Sequence, residues 1–375
     1  MADMNDAIVN PWEVTGNVDY NKLLEEFGLK KITPALLKRI KENAGEVHHY
    51  LRRGIFFAHR DLDKALDEYK KGNLFLYTGC GPSGPIHMGH AMVWVFVKWL
   101  QDKLGLELWF QFTDDEKFLF KDKSYEEIQK WLHENMLDII ALGFDPKKTH
   151  FLIDTKHANL MYPEAIKIAK KITFSTVKSA FGFTNNFNVG EIFFTAMQAV
   201  PAFLPSIIHK KKMFCLIPHA VDQDPHFRVS RDAINKLGYP KPGSIQCVFL
   251  PGFGGISEDG KMSSSKGQAI YLTDTPNEVK KKINKYAFSG GKDTIEEHRK
   301  YGGNPDIDVA YKWLTFFEED NKKLKRIYDD YKSGKLLSGE LKKILIDKLN
   351  LFLAAHQKRR KNAEKLLDKF IYKPK

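Results

Sequence analysis

At 375 residues the chain exceeds the usual size of one domain, so two domains, or one with appendages, are expected. Hydrophobic residues make up 43% and charged residues 28%, a soluble globular balance that excludes a disordered or membrane-embedded chain. The formal net charge of +12 points toward a polyanionic partner. Cys80, Cys215 and Cys247 lie far apart without a C-x-x-C pair, which sets aside a disulfide framework and a thiolate zinc site and fits a reducing, cytoplasmic compartment. The opening "MADMNDAIVNPWEVTG" has neither a basic segment nor an apolar run, so no secretory signal is expected. The most apolar run, Ala91 to Leu100, is too short to span a bilayer and contains Lys98.

Residues 1 to 72 are mixed and charged. "TPALLKRIKENAG" predicts a helix capped by Thr33, with Pro34 at its first position and its end near Gly45. "HRDLDKALDEYKKG" predicts a second helix. From Asn73 the pattern changes: "LFLYT" is a strand, followed by a glycine-rich loop, the helix "MGHAMVWVFVKWLQDKLG" and the strand "LELWFQF". Ser124 and Glu127 suggest a capping box for the helix "YEEIQKWLHENMLDIIALG". "THFLID", "MFCLIP" and "IQCVFL" are further strands, and strands alternating with helices predict a doubly wound, parallel α/β sheet. Thr275, Pro276 and Glu278 then open a lysine-rich stretch of helical period that continues to Lys375.

Two segments carry chemistry. In "LYTGCGPSGPIHMGH" the glycines at 79, 81, 84 and 89 let the backbone approach a ligand closely, and the following helix offers free N–H groups to an anion. His87 and His90, three apart, share a helix face and can donate to phosphate oxygens. It is not a Walker loop, and no third ligand is in register for a metal. The plainer alternative is a strand-to-helix turn containing two histidines. In "EDGKMSSSKG", Lys261 and the serines form a loop able to neutralise developing phosphate charge, the alternative being a solvated surface loop.

Taken together, "PIHMGH" resembles the HIGH signature, and "KMSSS" the KMSKS signature, of class I aminoacyl-tRNA synthetases. Ser264 departs from the pattern, standing where a second lysine is usual, with Lys266 just beyond. "FQFTDDEKFLFK", "FFTAMQAVPAF", "CLIPHAVDQDPHFRVSRD" and "AFSGGKDTIEEHRKYGGNPDIDVAY" further resemble the eukaryotic-type tryptophanyl-tRNA synthetase family. The resemblance implies a Rossmann-like catalytic domain over 73–275, an N-terminal extension over 1–72 packing on it, and a helical anticodon-binding domain over 276–375.

It also implies ATP-dependent activation of L-tryptophan to the adenylate with pyrophosphate release, then transfer to tRNA(Trp). The substrate carboxylate is the nucleophile, so catalysis is a matter of alignment and charge stabilisation. The implied catalytic residues are His87, His90 and Lys261. ATP would be held by Gly79, Gly81, Pro82, Ser83, His87, Gly89 and His90, and by Lys261, Met262, Ser263, Ser264 and Ser265. Mg²⁺ would arrive bound through ATP, with no metal ligands dedicated to it in the chain. Tyr77 and Gln111 are the family's candidates for the indole N–H, with Glu116, Gln198 and Gln223 for the α-ammonium and Phe227 as a wall. Asp293 and Arg299 are candidates for contact with tRNA. A cytoplasmic homodimer without membrane attachment is expected.

Three alternatives remain at this point. "VDQD" also suits a tyrosyl enzyme, although "TDDEK" and "FSGGKDTIEEHR" favour the tryptophanyl one. A nucleotidyltransferase of the same superfamily would share the histidine loop, but the basic helical tail argues against it. A tRNA-binding paralogue without catalysis is opposed by the intact His87, His90 and Lys261.

Overall fold

A computed structural model describes residues 8–9, 14–15, 19–254 and 268–374. Strands β1 (Ile8–Val9) and β2 (Val14–Thr15) pair with each other, apart from the main sheet. The main sheet contains β3 (Lys30–Lys31), β4 (Phe56–Arg60), β5 (Leu74–Cys80), β6 (Leu108–Phe112), β7 (Thr149–Ile153), β8 (Phe214–Ala220) and β9 (Gly243–Cys247). Its order is β3-β4-β9-β8-β5-β6-β7. From β9 to β7 every neighbouring pair is parallel, and the chain reverses its direction of travel across the sheet at β5 and β8. That reversal leaves a crevice beyond the carboxyl ends of these two strands.

The alternation of side chains along β5 explains why both faces are covered. Leu74 and Leu76 face a core shared with the helix Met88–Leu104, whereas Phe75 and Tyr77 face a second core against the helices Ala158–Ala169 and Asp224–Lys236. Local signals set the element ends. The Thr33 hydroxyl accepts from Leu36 N at 3.3 Å, and Gly45 closes the helix Pro34–Ala44 at φ 80°, a conformation glycine adopts without penalty. Thr275 and Glu278 form a reciprocal cap on the helix Pro276–Tyr286. At Ser124 only half of the expected box forms: its hydroxyl accepts from Glu127 N, while the Glu127 carboxylate takes Lys123 instead.

The sheet is mixed rather than wholly parallel, because β4 pairs antiparallel with β9 and β3 antiparallel with β4. The sequence "FFAHR" carries two basic residues and was expected in part to begin a helix. That helix spans Leu62–Lys70, and His59 and Arg60 belong to the strand. His59 is buried and its Nδ1 accepts from Leu62 N at 3.2 Å, capping the helix that follows. Arg60 is neutralised by Asp224 at 2.8 Å, at the start of the helix Asp224–Lys236. These basic side chains are tolerated at the edge of the core because each has a partner.

The helices Pro276–Tyr286, Ile295–Tyr301, Val309–Phe317, Asn321–Lys332 and Ser338–Arg360 follow the sheet. The long last one lies against the helix Tyr125–Ala141, where Asp138 receives His356 at 3.2 Å and Arg360 at 2.6 Å. Arg53 binds the same region from the N-terminal side, donating to Thr315 O at 2.7 Å and to Asn321 Oδ1 at 2.6 Å. Among the described residues no helix is long and apolar enough to cross a membrane.

Candidate active site

The glycine loop leaves β5 at the crevice and enters the helix Met88–Leu104 through His87, its N-cap residue. At Gly81 a side chain would displace the flexible end of Lys117. A Cβ on it would stand 1.9 Å from Lys117 Cε and 2.9 Å from Glu116 Oε2. Asn135 holds the loop from behind by donating to Gly84 O at 3.0 Å. The imidazoles of His87 and His90 stack with centroids 3.8 Å apart, His87 buried and His90 open to solvent. The predicted shared face is therefore present.

The chain beyond the second loop packs on the histidine loop. Lys261, Met262, Ser263, Ser264 and Ser265 lie outside the described residues, but the chain that follows them pairs with the histidine loop. Met88 N donates to Ile270 O at 2.9 Å and Leu272 N to Ile86 O at 3.0 Å. Two side chains from the C-terminal helices brace this segment. Lys282 Nζ bonds Ala269 O at 2.9 Å and the Asp274 carboxylate at 2.6 and 2.8 Å, and Gln357 Nε2 bonds the carbonyls of Leu272 and Asp274 at 3.0 Å each.

Between the glycine loop and β8 lies a cleft of about 400 Å³. Gly79, Gly81, Ser83, His87, Gly89 and His90 line one side of it, and Gln198, Gln223 and Phe227 the other. Pro82, buried in the loop, is absent from the lining. Glu116 and Lys117 form its charged corner: Glu116 takes Thr113 Oγ1 at 2.8 Å and Lys117 Nζ at 2.7 Å. Burial would raise the Glu116 carboxyl, but the Lys117 charge and these hydrogen bonds outweigh it and hold the group below the usual range. Opposite, burial pushes His219 down to about 3 and His226 to about 4, so both imidazoles are neutral at physiological pH.

Tyr77 and Gln111 differ from expectation in depth. They are fully buried and stand behind the cleft wall rather than in it. Tyr77 Oη donates to Gln111 Oε1 at 2.5 Å and accepts from Gln198 Nε2 at 2.6 Å, while Phe227 packs edge-on against its ring at 5.8 Å. Behind Gln111, its Nε2 meets both oxygens of Asp154 at 2.9 Å. The structure thus brings Tyr77, Gln111, Gln198 and Phe227 together, and beside the predicted residues it sets Asp154, Asn135 and Lys117, which the sequence did not single out. Asp154 had a signal: it is the acidic residue directly after β7, at the ligand end of a parallel strand.

A family model for the class I tRNA synthetases (W and Y) matches residues 69–354. The chain belongs to this family. Among curated relatives, a tryptophan–tRNA ligase of Saccharolobus solfataricus is 50% identical over 97% of this chain and 95% of its own length. One from Pyrococcus abyssi is 50% identical over 98% and 95%. Among solved structures, the tryptophanyl-tRNA synthetase of Plasmodium falciparum is 42% identical, with TM-score 0.88 over 95% of this chain and 98% of its own. That of Encephalitozoon cuniculi, bound to tryptophan, is 35% identical, with TM-score 0.84 over 94% and 99%. The likeness thus spans archaeal and eukaryotic synthetases rather than eukaryotic ones alone.

The two candidates for tRNA contact in this synthetase lie far along the chain from the cleft residues, Asp293 just before the helix Ile295–Tyr301 and Arg299 within it, and both are exposed. Arg299 already has structural work, donating to Gly334 O at 3.0 Å and to Lys335 O. Asp293 precedes the helix, next to exposed Ile295 and near Tyr301, over whose ring Lys300 sits at 4.9 Å.

Proposed function

We propose that this chain is a tryptophan–tRNA ligase that converts L-tryptophan and ATP to tryptophanyl-adenylate and pyrophosphate, then transfers the tryptophanyl group to tRNA(Trp). The observation that carries this reading is 50% identity, over nearly the full length, to curated tryptophan–tRNA ligases. ATP lies along the glycine loop, with its phosphates on His87 and His90, its adenine against Gly89, and Lys261 following the pyrophosphate. The loop's open backbone and the N-terminus of the helix Met88–Leu104 support this. Mg²⁺ enters on the triphosphate, as it does where a cation is held mainly by substrate phosphates.

The tryptophan carboxylate attacks the α-phosphorus. The chain's contribution is to align the two substrates and exclude water. Glu116, kept ionised by Lys117 and Thr113, receives the α-ammonium together with Gln198 and Gln223. The indole reaches Tyr77 and Gln111 by displacing the Gln198 amide, which already donates to the Tyr77 oxygen at 2.6 Å.

The lysine-rich helices after residue 276, with Asp293 and Arg299, take the anticodon arm. Two copies associate over the face where Phe118, Tyr162, Ile166 and Val189 stay exposed on packed helices. The protein acts in the cytoplasm, with translation. The test is tryptophan-dependent exchange of pyrophosphate into ATP with tyrosine as control; equal exchange with tyrosine overturns the assignment.

A further inference from the structure

Gln111 is the middle member of a buried chain of hydrogen bonds. Its amide nitrogen faces both Asp154 oxygens at 2.9 Å, its amide oxygen takes the Tyr77 hydroxyl at 2.5 Å, and the Tyr77 oxygen accepts from Gln198 at 2.6 Å. An amide donates only from nitrogen and accepts only at oxygen, so the group at the inner end fixes the direction of every link. Two carboxyl oxygens select the nitrogen side of Gln111. Its oxygen then points to Tyr77 and, at 2.5 Å against 3.2 Å to the Gln198 carbonyl, takes the single phenolic proton, leaving the Tyr77 lone pairs for a donor arriving from the cleft.

Resting on the reading of this site as a tryptophan pocket, we propose that Asp154 is a specificity-determining positioning residue, which sets the polarity of this relay so that Tyr77 accepts the indole N–H. Gln198, on the cleft wall, supplies an amide donor at the same oxygen. The indole therefore exchanges one donor for another, and no buried hydroxyl is left unpaired.

The relay requires Asp154 to present acceptors toward Gln111. Asp115 is hydrogen-bonded to Asp154 on another side, and Asp114 also faces the pair. Burial, then the Asp115 charge, raises Asp154 well above the carboxylate range, so the two carboxyls retain a proton. Shared with Asp115, that proton is directed away from Gln111. Asp154 itself touches no substrate; it acts through Gln111 and Tyr77.

Asp154→Leu keeps the approximate volume but removes both acceptors, which lets Gln111 turn over. The probes are tryptophan and 3-benzothienylalanine, whose sulfur replaces the indole N–H, compared in pyrophosphate exchange. Wild-type protein is expected to favour tryptophan and leave tyrosine inert; failure of that step counts against the tryptophan reading, not against the relay. In Asp154→Leu the preference for tryptophan over the sulfur analogue is expected to fall about tenfold, the scale of one hydrogen bond, through KM more than kcat. Equal loss with both substrates, at an unchanged ratio, makes Asp154 a packing residue and overturns the proposal. Tyr77→Phe tests the same relay should the Leu variant not fold: the ratio is expected to fall there too, and a preserved ratio overturns the proposal by itself.

Discussion

Gln357→Leu removes the amide that braces the segment paired with the histidine loop. Its nitrogen bonds Leu272 O and Asp274 O, each at 3.0 Å, from the last long helix. Two half-buried carbonyls lose their partner, at about 0.5–1.5 kcal/mol each, or about 1–3 kcal/mol together. If that cost falls on holding Ile270–Leu272 against Ile86–Met88, ATP use falls about 5- to 140-fold, since about 1.4 kcal/mol is a factor of ten in rate. The assay is pyrophosphate exchange with ATP varied at saturating tryptophan, alongside calorimetric titration of tryptophan and a thermal melt. The expected outcome is a loss in kcat/KM for ATP with tryptophan affinity within about twofold, because Tyr77 and Gln111 lie on the far side of β5 from this brace. Lys282→Met removes the neighbouring brace on Ala269 and Asp274 and is expected to combine with it non-additively. Undiminished ATP kinetics in folded Gln357→Leu, or a parallel loss of tryptophan binding, refutes the reasoning.

Gly81→Ala drives a methyl into Lys117 and Glu116 and strips a buried carboxylate of its ammonium, so tryptophan use is expected to drop about tenfold or more. Gly84→Ala, with nothing within 4 Å, serves as the control expected to behave as wild type in the same exchange assay. Burial raises Asp115 from 3.8 to about 6, so the folded state holds a proton across that window which the unfolded chain has released, and stability is lost as pH rises through it. Asp115→Asn is therefore expected to gain stability relative to wild type at pH 8 and almost nothing at pH 4, read by denaturant melts; the same gain at both pH values contradicts the assignment. Arg60→Leu leaves the Asp224 carboxylate buried without its ion pair and is expected to cost about 3–5 kcal/mol in the same melts, whereas an unchanged midpoint would show the pair to be idle. Affinity for tRNA, measured by filter binding, is expected to fall tenfold or more between about 50 and 200 mM salt while adenylate formation changes little; a flat salt response leaves the net charge of +12 without this role.

The parts of this fold legible in the sequence are those written in one local period. β5, β6 and the helix Met88–Leu104 are continuous apolar runs closed by glycine, and each was found within a residue or two of its ends. β4 was not legible, because its identity depends on partners distant in sequence. "FFAHR" becomes a strand only where Asp224 neutralises Arg60 and Ser244 to Cys247 supply the ladder. Periodicity has no access to a contact between residue 60 and residue 224, so the antiparallel edge of the sheet was invisible while its parallel centre was not.

The candidate site divides along the same line. Gly79, Gly81, His87 and His90 announce themselves because backbone approach and anion binding need those residue types consecutively on one loop. Asp154 carries no such mark. It is one acid among many until β7 is laid beside β6, which brings it within 2.9 Å of the Gln111 amide. Residues that touch a ligand are constrained by the ligand's chemistry and recur as motifs. Residues that orient those contacts are constrained only by the fold, so their chemistry is decided by neighbours on other strands. The polarity of the Tyr77 hydroxyl is thus a property of the sheet's register: sliding β7 by one residue against β6 would turn Asp154 to the opposite face and leave Gln111 free to present either end of its amide.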